Sequence, residues 1–320
     1  MLDADSDDYE RVFDRNYGVF TKEQQSKLRS SKILIVGCGG VGGTSAIQLA
    51  RSGIENITLV DPDKYELSNE NRQVDCYDDT LDDYKVDVIK DEILRINSNI
   101  NVVTYNKKFN LDEIKNVIKE NDVILAAADD LAYSSHLLTI SQNLGKSAIT
   151  ALPYGFGGWI SVFTPDSPTI FDVSGTPHVP YKELKAIEDN KWYKTCAFYS
   201  WYISQGRWRA SWYRSFTEGE KHLAQICPTV WLVSSLACLE MLKLITGKGK
   251  VVIAPRRWEI KGANPSIRLT RFSLLRKYWW KLAYSITNIQ WYDLGKRLHK
   301  PGVSFYLWLL SRYEKNEKNE

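Results

Sequence analysis

Residues 33–43 read "ILIVGCGGVGG": four apolar residues, then a cluster of glycines. So short a run of mostly branched apolar residues predicts a strand covered on both faces, and the glycines predict the turn that follows it. Glycines 37, 39, 40 and 42 give G-x-G-G-x-G, close to the dinucleotide fingerprint G-x-G-x-x-G. Gly37 and Gly39 allow the tight turn and the close approach of backbone to a phosphate. The helix after them points its first amides at the anion. Asp61 ends the next strand candidate, 19 residues past Gly42, where an acid can accept from ribose hydroxyls. This much predicts a nucleotide site and is silent on which nucleotide.

The rhythm around that turn sets the fold class. Strand candidates at 32–37, 57–61, 100–106, 123–129 and 147–153 alternate with helix-length segments at 41–53, 83–96, 111–120 and 132–144. That order predicts an α/β fold with a doubly wound, largely parallel, Rossmann-like sheet. "GWISVFTP" (158–165) reads as an antiparallel extension, and "KVVIAPRRWEI" and "SIRLTRF" as two later strands. Between them, 228–246 predicts a strong helix, with Pro228 in its first turn and Gly247 as its C-cap. The expected organisation is an N-terminal arm (1–30), a nucleotide-binding Rossmann-like domain (31–165), a crossover insertion (166–226), the remainder of that domain (227–275) and a basic aromatic C-terminal region (276–320).

Composition narrows the class. The five cysteines, at 38, 76, 196, 227 and 238, are odd in number and include no C-x-x-C, which argues against a disulfide framework and a tetrahedral zinc site. The opening "MLDADSDDYE" is acidic where a secretion signal is basic. The longest apolar stretches, such as "VSFYLWLL" (303–310), are expected to fall far short of the roughly 20 residues of a bilayer span. A cytoplasmic protein without a membrane segment is expected. Net charge is +3, but residues 251–320 hold 14 Lys/Arg against 5 Asp/Glu. That tail is either a solvated face over an aromatic core or a surface for an acidic partner, whether peptide, nucleic acid or anionic lipid.

The residues after Asp61 choose among nucleotides. "DPDKYELSNENRQ" (61–73) and "YKVDVIKDEI" (84–93) bring Arg72 and Lys85 to the same region. Attack on the α-phosphate of ATP needs such cations, because charge grows on the departing pyrophosphate. A hydride-transfer site would leave both idle. Asp129, at the C-terminal end of its strand, stands where a carboxylate can hold Mg²⁺, although it can equally cap the following helix.

Together "GCGGVGG", "VDPDKYELSNENRQ", "YKVDVIKDEILRIN" and "AAADD" resemble the ThiF/MoeB-like adenylating enzymes, relatives of the ubiquitin-activating enzymes. The resemblance covers about residues 9–165 and resumes at 227–247. It implies that a substrate carboxylate attacks ATP, with Mg²⁺, to give an acyl-adenylate and pyrophosphate. By position it places Gly40 on the phosphates and Asp61 on the ribose. It lines the phosphate site with Asn69, Asn71, Arg72 and Gln73, and puts Lys85 on phosphate and Asp129, or the adjacent Asp130, on the metal. "FDRNYGVF" (13–20) resembles the segment that reaches into a partner subunit's site. This nominates Arg15, with Arg11 second, and implies a homodimer.

Two departures bear on the substrate. The zinc-binding C-x-x-C pairs of many relatives are missing, and the thioester cysteine of some has one candidate, Cys227, at a helix start. Cys227 can equally be a small buried hydrophobe. Zinc-free members with inserts resemble the enzymes of the microcin C7 and pantocin pathways, which implies adenylation of a precursor peptide in peptide-antibiotic maturation. The alternatives are a ubiquitin-like sulfur-carrier protein and a tRNA nucleoside; beyond adenylation stand a dinucleotide oxidoreductase and a non-catalytic adaptor with a relic site. Nucleic acid is the less expected partner.

Overall fold

A strand with helices on both faces has no polar side to show, and the first strands here carry almost none. The computed structural model describes residues 4–189, 209–261 and 266–275, with isolated positions beyond. Cys196, part of the aromatic insertion and nearly all of 276–320 lie outside the described residues, so the expectations for that tail do too.

The chain opens with helices α1 (Ala4–Val12) and α2 (Lys22–Ser30). Strands β1 (Lys32–Val36), β2 (Asn56–Val60), β3 (Asn101–Tyr105), β4 (Val123–Ala126) and β5 (Ser147–Tyr154) then alternate with α3 (Gly40–Arg51), α4 (Lys85–Ile96), α5 (Ile114–Lys119) and α6 (Leu131–Asn143). After β5 come β6 (Gly157–Phe163), β7 (Arg256–Lys261) and β8 (Ser266–Arg271). The sheet runs β3-β2-β1-β4-β5-β6-β7-β8, parallel through β5 and antiparallel after it. Strand order reverses between β1 and β4, and the crevice at their C-terminal ends is where such sheets take ligands. The α/β class and the antiparallel extension are as the sequence predicts.

Alternation along the strands builds two cores. Ile33, Ile35, Leu59 and Leu125 face one way, under α3, α4 and the late helix α10 (Cys227–Thr246). Leu34, Val36, Val60 and Ile124 face the other, under α5 and α6. Each fully buried branched side chain contributes about 1.5–3 kcal/mol of hydrophobic stabilisation.

Helix α10 corrects one expectation. It is long and apolar enough to cross a bilayer, a property that counting uninterrupted runs passed over. Val230, Val233, Ala237 and Met241 are buried in the core against the sheet and α3, which accounts for its apolarity. Pro228 lies in its first turn and Gly247 caps it in the left-handed region, as predicted. Strand β7 starts only at Arg256, later than "KVVIAPRRWEI" suggests, because Pro255 has no N–H to donate to a ladder. The described part of the crossover between β6 and α10 is helical: α7 (Ile170–Ser174), α8 (Tyr181–Glu188) and α9 (Ala210–Thr217). Phe171, Leu184 and Tyr213 seat it on the second core.

Candidate active site

The glycine turn is closed by backbone contact. Gly37 has φ +93°, and a Cβ there would lie 2.4 Å from the Ala128 nitrogen beyond β4. A Cβ at Gly42 would lie 1.8 Å from the Gly37 oxygen, so neither position admits a side chain. Helix α3 begins at Gly40 with Gly39 as an N-cap that offers no side-chain hydrogen bond. Its first amides therefore remain for an anion, favoured by the positive end of the helix dipole.

Asp61, just past β2, fixes that turn. Its Oδ2 accepts from the Cys38 amide at 2.6 Å and its Oδ1 from the Asp63 amide at 2.8 Å. Burial pushes the Asp61 carboxyl up, against the pull of Lys85 and the two amides. Lys85 opens α4 and is itself buried; its Nζ donates to Asp63 Oδ2 at 3.2 Å, and Asp63 is largely exposed. An ammonium has three protons to donate, so Lys85 retains capacity for a ligand oxygen.

The "SNENRQ" block lies across the mouth of the glycine turn. A short 3₁₀ turn (Leu67–Asn69) places buried Asn69, whose carbonyl accepts from the Arg72 and Gln73 amides at 3.1 and 2.9 Å. The Arg72 side chain passes Gly40, where a Cβ would sit 3.5 Å from Arg72 Cγ. Gln73 is buried with its Nε2 beside Gly39, 3.6 Å from where a Cβ would be, and its Oε1 has no partner. Asn71 is exposed and donates to the Gln225 carbonyl at 3.2 Å. Turn, block and Lys85 thus gather beyond the C-terminal ends of β1 and β2: Gly37, Gly39, Gly40 and Gly42 form the turn, Asp61 braces it, Arg72 and Gln73 lie against it, and Asn69 and Asn71 belong to the same block.

The two aspartates after β4 differ in environment. Asp129 is exposed, and among the described residues no group of three or more acidic, His or Cys side chains could hold a metal. A cation on Asp129 would complete its shell with phosphate oxygens and water, the usual Mg²⁺ arrangement. Asp130 caps α6 through the Tyr133 amide at 2.9 Å. It also accepts from Tyr181 at 2.8 Å and pairs with Lys108 at 3.0 Å and Lys185 at 3.7 Å. Burial pushes its carboxyl up, but those donors together hold it below the usual range.

Arg15 stands apart within the chain. It is exposed in a 3₁₀ turn (Asp14–Gly18) whose Asn16 donates to the Ser52 carbonyl, at the end of α3 opposite the glycines. Twelve residues of helix put those ends about 18 Å apart. Arg11 is exposed and paired with Asp8. Cys227 is half-buried at the start of α10. Sequence reasoning missed Gln225 and Asp63: the first sits in no motif, and the second was hidden inside one.

A switch-point crevice with a glycine turn, an acid closing β2 and two cations defines a nucleotide-binding α/β protein. Comparison with known proteins makes the class specific: the model of the ThiF family matches residues 13–277, and the chain belongs to that family. It is 36% identical over 152 residues to the molybdopterin-synthase adenylyltransferase of Haemophilus influenzae, covering 47% of this chain and 63% of that one. It is 31% identical over 141 residues to the sulfur carrier protein ThiS adenylyltransferase of Escherichia coli, covering 44% and 56%. The matched regions thus span somewhat over half the length of these relatives. Among solved structures, E. coli MccB with ATP superposes with a TM-score of 0.63 at 20% identity, over 82% of this chain and 72% of that one. This likeness shows a shared fold.

Proposed function

We propose that the protein is an ATP- and Mg²⁺-dependent adenylyltransferase that activates a carboxylate on a peptide or small protein. The observation that carries this reading is the gathering of an uncapped helix N-terminus, Arg72 and buried Lys85 beyond the C-terminal ends of β1 and β2. Such donors stabilise charge that grows on phosphoryl oxygens during displacement. A carboxylate oxygen of the substrate bonds to the α-phosphorus as the bond to the bridging oxygen breaks. The products are the acyl-adenylate and pyrophosphate. The α3 amides and Gln73 orient the phosphates, Arg72 and Lys85 balance the leaving charge, and Asp61 fixes the turn and meets the ribose. Mg²⁺ held at Asp129 would supply further charge neutralisation.

The relatives named for molybdopterin synthase and ThiS support adenylation and favour a small carrier protein. MccB, a microcin C7 biosynthetic enzyme solved with N-formylated MccA, supports a precursor peptide in a peptide-antibiotic pathway. The missing C-x-x-C pairs and the basic 251–320 segment favour the peptide, since cations there would attract an acidic one. A relative named tRNA threonylcarbamoyladenosine dehydratase, 35% identical over 128 residues, keeps the nucleoside substrate as the alternative. The proposed state is a homodimer in which Arg15 enters the partner's site. ATP–pyrophosphate exchange decides the reading: it should require Mg²⁺ and rise with the cognate carboxylate. Exchange driven by a Gly-Gly carrier protein or by tRNA would replace the peptide, and NAD(P)H or flavin binding in place of ATP would remove adenylation.

A further inference from the structure

The crossover rejoins the sheet at residues 224–226, and there it meets the phosphate block. Gln225 Oε1 accepts from Arg72 Nε at 3.0 Å, while its Nε2 donates to the Pro153 carbonyl at 3.3 Å. Its own carbonyl accepts from Asn71 Nδ2 at 3.2 Å, and the Gly155 amide donates to the Ala224 carbonyl at 2.9 Å. One side chain therefore spans from the end of β5 to the arginine.

Arg72 Nη1 donates to the Ser68 carbonyl at 2.9 Å and to Asn71 Oδ1 at 2.7 Å. Three of the five guanidinium protons are thus used, and Nη2 has no partner among the described residues. Because the group is planar, fixing Nε and Nη1 also fixes the direction of Nη2. All three acceptors are uncharged, and among the described residues no carboxylate lies within ion-pair distance of Arg72. Two other arginines do have one: half-buried Arg29 sits 2.7 Å from Glu55, and buried Arg257 2.8 Å from Glu259.

We propose that Gln225 is a positioning residue that aims Arg72 at the β- and γ-phosphates of ATP without neutralising it. A carboxylate in its place would hold the guanidinium as firmly but cancel the charge that the pyrophosphate needs. This rests on the phosphate-site reading of Arg72 given above. AMP lacks those phosphates, so Gln225 should discriminate between the two nucleotides.

The test is calorimetric binding of Mg·ATP and of AMP to the full chain in wild type, Q225M, R72A and the double variant. Methionine fills a similar volume and removes both amide functions. Q225M should weaken ATP about 5- to 20-fold and leave AMP within twofold, which also reports an intact fold. In the R72A background the same change should cost less than twofold, because the group it aims is gone. An equal loss of ATP affinity in both backgrounds, or an equal loss for ATP and AMP, overturns the positioning role. R72A binding ATP like wild type removes the phosphate-site reading itself. Q225E supplies the second variant: it keeps an acceptor for Nε but adds a negative charge, and should weaken ATP more than Q225M with AMP again spared. Wild-type ATP affinity in folded Q225E sinks the proposal.

Discussion

The Asp61 carboxylate reaches across from the end of β2 to the Cys38 amide, 2.6 Å away inside the glycine turn. With its second oxygen on the Asp63 amide at 2.8 Å, it locks the turn to the segment that carries Asp63 and, through it, Lys85. A residue nominated for the ribose is thus also a brace.

Asp61→Ala should for that reason cost stability as well as nucleotide affinity. Leaving the two amides without acceptors in a buried setting costs about 1–3 kcal/mol. Denaturant melts should show that loss without ligand, and ATP affinity should fall at least tenfold. A variant with wild-type stability would mean that the turn holds without its brace.

Asp75 supplies a pH prediction. It is 2% exposed, its Oδ2 has no partner, and burial, with Glu92 adding to it, pushes its carboxyl up to about 7. The folded chain keeps this proton where the unfolded chain has lost it. Its contribution is therefore fully present below about pH 4 and lost as pH rises to about 7. Asp75→Asn should gain stability relative to wild type as pH rises from 5 to 8, by roughly 2–3 kcal/mol. Urea midpoints at the two pH values check this, and a pH-independent difference would remove the buried-proton account.

The parallel half of the sheet was legible because β-branched runs alternate with helix-length segments, and only a doubly wound sheet buries such strands on both faces. Asp61, Arg72 and Lys85 were legible because their blocks sit at fixed distances after the glycines. Gln225 was not, since its partner Arg72 lies 153 residues away and "LAQICP" has no period. The crossover helices were obscured by Pro168, Pro177 and Pro180, which break any helical pattern wide enough to notice. The split between Asp129 and Asp130 was also invisible, because adjacent identical residues differ only in what folds against them.

That split predicts opposite phenotypes. Asp129→Ala should leave the melting temperature nearly unchanged and abolish Mg²⁺-dependent exchange. Asp130→Ala removes the α6 cap and the anchor of Lys108, Lys185 and Tyr181, and should cost about 1–2 kcal/mol. Because the Asp130 carboxyl is held low, its stabilisation is present above the ordinary carboxylate range and lost as pH falls through its folded value. Exchange and melting curves on both variants separate the roles, and a dead but stable Asp130→Ala would move the metal to that position.

The position of Arg15 gives a prediction about assembly. It lies by the far end of α3, whose length puts the glycine turn of its own chain about 18 Å away, and this favours the proposed role in a partner's site. Arg15→Ala and Arg72→Ala should each lose exchange activity. Mixed after dissociation and reassociation, they form some dimers with one site built from Arg72 of one chain and Arg15 of the other. Random pairing should restore about a quarter of wild-type activity, since half the dimers are mixed and each holds one complete site. A mixture that exchanges subunits, as shown by native mass spectrometry, yet stays inactive would confine Arg15 to the surface.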